Sequence, residues 1–383
     1  MVAAYQSGEI INSPNTKKAI NMFTLSLANK NRIQTICSHA NSRINPVFEM
    51  VLIEAENNQV RFSASNGAQF NSLTLPAQVS ENISFTLSAK RLSAVLNALS
   101  AETAKFEVKG ESLFMTSGKS KLKSPIFNAS EYPSAPAIVS PISTIQCTIS
   151  QLAALFNSAS YAVAKNDVRS YLCHVNLKII GQLVVVCATD GHRLSQLEHS
   201  DLTCSGEGSY LVPLSLMSAL LSQNLDGSEP VTIEFDEKKA SITSGDTSIV
   251  SVLGDGRFPD VNRVIPSRNE NGVTFNLNEL KNTVKRFHAV ASLEKIPILK
   301  FDINSEVQMS VSSSDKSNEF SEIIEAENQS VEHFTVGVNP TYLADALAKQ
   351  SGEKVTIYFN QKTAILIECE VSELITLVMP IRV

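Results

Sequence analysis

The chain has 383 residues, of which 43% are hydrophobic and 18% are charged, and its formal net charge is −6. This length exceeds what one core normally organises, and the apolar fraction excludes an intrinsically disordered chain. The acidic balance argues against a uniformly basic nucleic-acid binder but is compatible with a local basic surface. Six scattered cysteines without a CxxC pair are typical of buried, reduced thiols. Because signal-peptide and membrane-spanning patterns are missing, we expect a soluble, cytoplasmic protein with no membrane partner.

Three kinds of segment recur in the same order at a spacing of about 125 residues, which is typical of tandem domains. Two are strands that lead into helices, and the third is a hairpin with period-2 alternation. The first kind begins at Phe23, Cys147 and Phe275, the second at Phe85, Tyr210 and Phe334, and the third at Phe106, Ile233 and Ile357. We therefore predict an α+β fold of three similar sheet-rich domains with two helices each. Their predicted bounds are 22–143, 144–269 and 270–383, after an N-terminal extension over 1–21.

Positive charge is concentrated on the predicted helices. These helices span 27–41, 89–100, 150–165, 214–224, 277–290 and 340–349. They hold nine cations, opposed only by Glu279 and Asp345, so the rest of the chain is strongly acidic. For a single helix, a solvated basic face is the simpler interpretation. For several helices of one repeat family, we favour a shared surface that contacts the phosphates of a polyanion without sequence preference.

A buried strand ends in a polar turn within Leu183–Leu194. Residues 183–186 are apolar and mostly β-branched, and Gly191 can take a positive φ. Asp190 and His192 could form an acid–base pair, but a turn aspartate that binds backbone amides is the simpler interpretation, just as Cys187 fits a core residue better than a nucleophile. Nucleotide-binding, metalloprotease and serine-hydrolase motifs are missing, and the histidines lack metal-ligand spacing. We therefore expect a protein that is not an enzyme, with no catalytic residue and with no bound metal or cofactor.

Four further motifs occur in a fixed order: Asn166-Asp-Val-Arg-Ser-Tyr-Leu172, Ala188-Thr-Asp-Gly-His-Arg-Leu194, Gly254-Asp-Gly-Arg-Phe-Pro-Asp260 and Leu377-Val-Met-Pro-Ile-Arg-Val383. Together with the triple repeat, they resemble the bacterial sliding clamp, the beta subunit of DNA polymerase III. The resemblance is close over the second and third domains and holds in outline over the first. It implies the DNA clamp fold, in which this chain is half of a closed ring.

The resemblance also implies the function and the partners. A head-to-tail homodimer would encircle double-stranded DNA without reading its sequence, and a clamp loader would open the ring. The clamp would tether the DNA polymerase III catalytic subunit and other proteins that carry a clamp-binding motif. The alternative is an accessory clamp paralogue that binds partner peptides without encircling DNA.

Partner peptides would dock in a hydrophobic cleft between the second and third domains, by the same resemblance. The residues assigned to it are Leu172, Thr189, Gly191, His192, Arg193, Leu194, Pro259, Arg263, Val264, Asn339, Tyr342, Leu377, Met379, Pro380, Ile381 and Arg382. The apolar members would form walls, and Thr189, Arg193 and Arg263 would fix polar groups of the peptide. The alternative role of these apolar residues is ordinary interdomain core.

Two further groups of residues follow from the basic helices and the resemblance. The cations expected to face DNA are Lys30, Arg32, Arg43, Lys90, Arg91, Lys165, Arg169, Lys281, Lys285 and Arg286. The dimer contact would pair Lys121, Leu122 and Lys123 of one subunit with Val290 and Ala291 of the other. Because Ala291 has a small side chain, we expect a weakened apolar contact and a ring less tightly closed than most.

Overall fold

The computed structural model describes residues 21–41, 45–295, 297–313, 319–328, 333–370 and 373–383. Arg43 and residues 1–20 of the predicted extension lie outside these ranges. The chain divides into two compact units: one extends to Pro133 without Ser65–Ser72, and the other contains Ser65–Ser72 and Ser134–Val383. The first unit has one large hydrophobic core, and the second has two.

The first unit is built from two helices and antiparallel strands. The helices are α1 (Lys30–Ser38) and α2 (Ala89–Ala98), and the strands are β1 (Met22–Ser26), β2 (Met50–Glu56), β3 (Gln59–Ser65), β4 (Gln69–Val79), β5 (Ile83–Ser88), β6 (Thr103–Lys109), β7 (Ser112–Ser117) and β8 (Ser120–Pro125). Strands β4, β1, β6, β7 and β8 are neighbours in that order, and β2 pairs with β3 and β5. Phe23 stacks on Phe106 across the β1–β6 pair, with 4.5 Å between the ring centroids. The core forms where this aromatic pair meets the buried faces of both helices.

The first core of the second unit contains helices α3 (Ile149–Ala159) and α4 (Leu214–Leu221). Its strands are β9 (Ser143–Thr148), β10 (Val175–Ile180), β11 (Leu183–Thr189), β12 (Arg193–His199), β13 (Thr203–Ser205), β14 (Gly208–Val212), β15 (Pro230–Phe235), β16 (Lys239–Ser244) and β17 (Thr247–Val252). Thr148 and Gln151 form a capping box that starts α3.

The second core of this unit contains helices α5 (Leu277–Ala291) and α6 (Pro340–Lys349). Its strands are β18 (Gly272–Asn276), β19 (Leu299–Ile303), β20 (Val307–Ser312), β21 (Glu319–Ile324), β22 (Glu327–Asn328), β23 (Phe334–Val338), β24 (Lys354–Tyr358), β25 (Ile365–Cys369) and β26 (Ile375–Val378). Asn276 and Asn339 cap the two helices through their side-chain oxygens.

One nine-stranded antiparallel sheet runs through both cores of the second unit, in the order β14-β10-β11-β12-β26-β25-β24-β18-β22. The junction is the β12–β26 pair, in which Leu194 lies opposite Leu377. A small apolar cluster that includes Cys187, Leu194, Ala364 and Leu377 is separate from both large cores. The sheet thus brings the turn after β11 next to the C-terminal strand, although nearly two hundred residues separate them in sequence.

The predicted fold class is confirmed, with two helices per repeat and sheets elsewhere in the described residues. The domain bounds remain a prediction. The helix predicted over 150–165 is too long, because α3 ends at Ala159, near the point where the Ser158 hydroxyl donates to the Leu155 carbonyl. Among the described residues, no helix combines the length and the apolar composition needed to cross a bilayer.

Candidate functional site

A cavity of about 340 Å³ opens at the β12–β26 junction. Its lining is Arg169, Tyr171, Leu172, Thr189, Gly191, His192, Arg193, Leu194, Pro259, Asp260, Val261, Val264, Ala364, Leu377 and Met379. Leu172, Leu194 and Leu377 are buried in its walls. Val264 and Met379, by contrast, leave 56% and 42% of their surface exposed. Exposed apolar side chains around a concave apolar wall are typical of a binding site rather than of a closed interdomain core.

The turn between β11 and β12 is held by its own polar groups. Asp190 Oδ1 accepts hydrogen bonds from the backbone amides of His192 (2.9 Å) and Arg193 (3.0 Å). Thr189 Oγ1 donates to the Arg193 carbonyl at 2.7 Å and accepts from the Gly191 amide. Gly191 has a φ of 88°, a conformation that L side chains rarely adopt. Asp190 therefore acts as the predicted turn aspartate.

Arg193 joins the two cores that flank the cavity. Its guanidinium forms ion pairs with Asp190 (3.0 Å) and with Asp345 of α6 (2.5 Å). Its Cζ also lies over two aromatic rings, 5.4 Å from the centroid of Tyr161 and 4.6 Å from that of Tyr342. Only 10% of the side chain is exposed. Since Nε and Nη1 are paired with carboxylates and the guanidinium contacts two aromatic rings, Arg193 stabilises the junction more than it offers free groups to a peptide.

A second ion pair forms one rim of the cavity. Arg169 donates from Nε and Nη2 to the two carboxylate oxygens of Asp167, at 3.0 and 2.9 Å. These hydrogen bonds lower the pKa of Asp167 to about 2, so its charge persists at any physiological pH. A Cβ placed on Gly191 would lie 3.4 Å from Arg169 Nη2, which puts the guanidinium directly beside the turn. Arg169, which was predicted to face DNA, lines the cavity in the structure.

Ten of the sixteen residues predicted for the cleft line this cavity. Six do not: Arg263, Asn339, Tyr342, Pro380, Ile381 and Arg382. Arg263 is 83% exposed and pairs with Asp260, and Asn339 is committed to capping α6. Tyr342 stacks on His192 at 6.0 Å, and Ile381 exchanges backbone hydrogen bonds with Gly337.

The prediction also missed four lining residues besides Arg169: Tyr171, Asp260, Val261 and Ala364. Three of them are within or beside the quoted motifs, so sequence proximity could have found them. Ala364 immediately precedes β25, and nothing in the sequence around it indicates a role in this site.

The cations predicted to face DNA have different environments. Lys90, Arg91 and Lys285 are exposed on helices. Lys30 and Lys281 are half-buried and donate hydrogen bonds to backbone carbonyls, whereas Arg286 pairs with Glu322 and also donates to Thr283. Lys165 lies in a loop after α3, and Arg32 is half-buried. Helices α3 and α4 contain no charged residue, so the basic character of the described helices comes from the first and third repeats.

The residues predicted for the dimer contact differ in their solvent exposure. Lys121 and Lys123 are exposed on β8, an edge strand, with Leu122 half-buried between them. Val290 is 37% exposed, but Ala291 is completely buried in the third-repeat core. The assignment of Ala291 to a contact surface was therefore wrong, and the expectation of a looser ring loses the contact on which it rested. Leu293, two residues further along the chain, has 83% of its surface exposed.

The described residues contain no group of three or more His, Cys, Asp or Glu side chains suited to a metal ion. Burial raises the pKa of the Cys187 thiol to about 12, so it remains protonated and is a poor nucleophile at neutral pH. Asp190 is occupied by the turn amides and by Arg193. The polar groups of the turn are therefore held by one another beside the apolar walls of the cavity.

Three tandem sheet-and-helix repeats and an apolar cavity at the last junction define a protein of the DNA clamp class. Three family models match in order: the N-terminal domain of the DNA polymerase III beta subunit over residues 28–136, its central domain over 146–260 and its C-terminal domain over 262–382. The chain therefore belongs to the family of the bacterial DNA polymerase III beta subunit, the beta sliding clamps.

Relatives and solved structures agree with this assignment. The chain is 27% identical over 357 residues to the beta sliding clamp of Haemophilus influenzae, covering 91% of this chain and 96% of the relative. It is likewise 27% identical to that of Streptococcus pneumoniae over 353 residues, with 89% of each chain covered. The sliding clamp of Bacillus subtilis superposes with a TM-score of 0.89 at 22% identity, covering 95% of this chain and all of that chain. At 22% identity, the structural similarity supports the fold alone.

Proposed function

We propose that this DNA sliding clamp encircles duplex DNA as a head-to-tail homodimer and holds partner proteins by a short peptide in the cavity at the β12–β26 junction. The observation that carries the peptide site is the exposed apolar pair Val264 and Met379 beside buried Leu172, Leu194 and Leu377. Such a wall fits two or three apolar side chains of a linear motif. The DNA polymerase III catalytic subunit and the clamp loader are the expected partners.

The DNA-facing role rests on the exposed cations of the first and third repeats. Lys90, Arg91 and Lys285 are helical and exposed, so they can approach phosphates without losing an internal partner that the structure describes. A ring needs only such non-specific contacts, because the closed topology retains the DNA.

The homodimer proposal rests on two complementary surfaces. Strand β8 ends one sheet and exposes Lys121 and Lys123. Strand β21 ends another sheet, where Glu319 and Ile323 are exposed, Ile323 to 61%. A basic edge in one subunit and an acidic, partly apolar edge in the other are suited to antiparallel pairing between two copies. Sedimentation should give twice the mass of the chain, and reversal of Lys121 and Lys123 to Glu should produce monomer.

A retention assay tests the DNA proposal. The protein, loaded on nicked circular DNA by a clamp loader with ATP, should remain bound through gel filtration and should be lost when the circle is cut. The double variant Lys90→Ala/Lys285→Ala should shorten retention, whereas Lys238→Ala, at an exposed hairpin turn, should not. Equal retention on circular and linear DNA would favour the accessory paralogue, which the family match does not favour.

A further inference from the structure

A second groove lies beside the cavity, behind the segment of residues 257–263. Its volume is about 920 Å³, and Pro259, Asp260 and Val261 line both the groove and the cavity. The two spaces are therefore separated by the width of one chain segment. A ligand that leaves the cavity over this segment enters the groove directly.

The floor of the groove is the outward face of the domain-two part of the nine-stranded sheet. Lys178, Val185 and Glu198 form one row across β10, β11 and β12, by the strand register. Ile180 and Leu183 form the next row, and Ile180 is 46% exposed. The floor thus offers aliphatic surface between charged side chains, unlike the opposite face of these strands, which is buried in the core.

The charges of the groove favour an acidic ligand. Lys178 and Arg257 are exposed and have no ion-pair partner among the described residues, whereas the third cation, Arg263, pairs with Asp260 at 3.1 Å. Glu198 is the one acid of the groove's described lining that has no such partner. Two unpaired cations against one unpaired acid leave a net positive groove beside an aliphatic floor.

We propose that this groove binds an acidic, aliphatic-containing segment that flanks the docking motif of a partner, an inference that rests on the proposed peptide site. Continuity identifies the occupant, because the groove shares a wall with the cavity. An extended chain advances about 3.3 Å per residue, so a flank of roughly eight residues is long enough to cross the shared wall and reach Lys178. The cavity then selects the apolar motif, and the groove distinguishes partners by the charge of their flanks.

Fluorescein-labelled synthetic peptides test the proposal by anisotropy on the full-length protein. Each carries the clamp-binding segment of the polymerase III catalytic subunit, alone or with an eight-residue flank of Leu, Gly and Glu on one side or the other. Matched flanks contain Gln in place of Glu. On one of the two sides, the acidic flank should bind about fivefold more tightly than the Gln flank, as expected for two exposed ion pairs.

Charge reversal should remove this gain. In Lys178→Glu/Arg257→Glu, the acidic and Gln flanks should bind equally, while the peptide without a flank keeps its wild-type affinity. The control Lys238→Glu, at an exposed lysine in the turn between β15 and β16, should retain the full gain. Equal affinity of both flanks for the wild type, or a gain that survives the double reversal, overturns the groove proposal alone. Failure of the unflanked peptide to bind overturns the proposed peptide site as well.

Discussion

Lys30 and Lys281 make the same hydrogen bond in the first and third repeats. Each donates from Nζ to the carbonyl of the C-cap residue that follows the second helix of its repeat: Leu99 at 2.7 Å and Gln350 at 2.9 Å. Donor and acceptor are 69 residues apart in both cases. A cation at a helix C-terminus satisfies an otherwise unpaired carbonyl and complements the helix dipole. These lysines therefore stabilise their own helix pairs, whatever they contribute near DNA.

Replacing Lys281 with Met should lower the free energy of unfolding by about 1 kcal/mol, because the Gln350 carbonyl and the end of α6 lose their cation. Urea denaturation measures the loss, and hydrogen exchange should place it at the last turn of α6. Lys285→Met is the matched control on the same helix, with an exposed side chain and no expected loss. Equal stability of the two variants would contradict the capping role.

Substituting Arg193 with Ala should destabilise the second unit by about 2 to 3 kcal/mol, since it removes two ion pairs and two cation–π contacts at the junction. Peptide affinity should fall as well, because Thr189 and His192 are held by the same turn. Asp345→Asn removes one pair from a half-exposed partner and should cost less. If Arg193→Ala lowered the affinity for the peptide but left the free energy of unfolding unchanged, the guanidinium would be a direct peptide ligand instead.

Met379→Ala should weaken peptide binding about fivefold to tenfold with little change in stability. Met379 lines the cavity and 42% of its surface is exposed, so a docked peptide can bury apolar area there. Val139→Ala is the control, because Val139 is 90% exposed and is not among the cavity's lining residues. Fluorescence anisotropy with the unflanked peptide measures the affinity. A decrease in affinity for both variants would indicate a non-specific loss of apolar surface.

Much of the fold was predictable because the same pattern of hydrophobic residues recurs in all three repeats. The hairpins predicted from Phe106, Ile233 and Ile357 begin in β6, β15 and β24. Helix ends were less predictable. The apolar pattern continues beyond Ala159, but the chain leaves the helix there for a short 3-10 turn over Ser160–Ala162. The local pattern of apolar residues does not predict where the helix ends, because that depends on packing against the sheet.

Part of the site was predictable from motifs, and part required three-dimensional contacts. The turn at Gly191 and the wall at Leu377 were found because the motifs contain them. The partners of individual charges were not predictable: Arg286 meets Glu322 from a distant strand, and Arg169 folds back on Asp167 beside the cavity. A cation count along a helix cannot distinguish a free charge from a paired one, and the burial of Ala291 depends on which side of α5 faces the core.

Mild acid should destabilise the first unit through His39. Burial lowers the pKa of this imidazole below its ordinary value of 6.5, and its Nε2 is buried without a hydrogen-bond partner among the described residues. Between the lowered pKa and 6.5, the unfolded chain binds more protons than the folded one, so stability falls as the pH drops through that window. The contribution is fully retained above pH 6.5, where His39 is neutral in both states.

His39→Asn should therefore reduce the loss of urea resistance between pH 7.5 and pH 5.5. The control His199→Asn, in the second unit, should leave the loss in the first unit unchanged. An identical pH dependence in the wild type and His39→Asn would show that other groups govern the acid response.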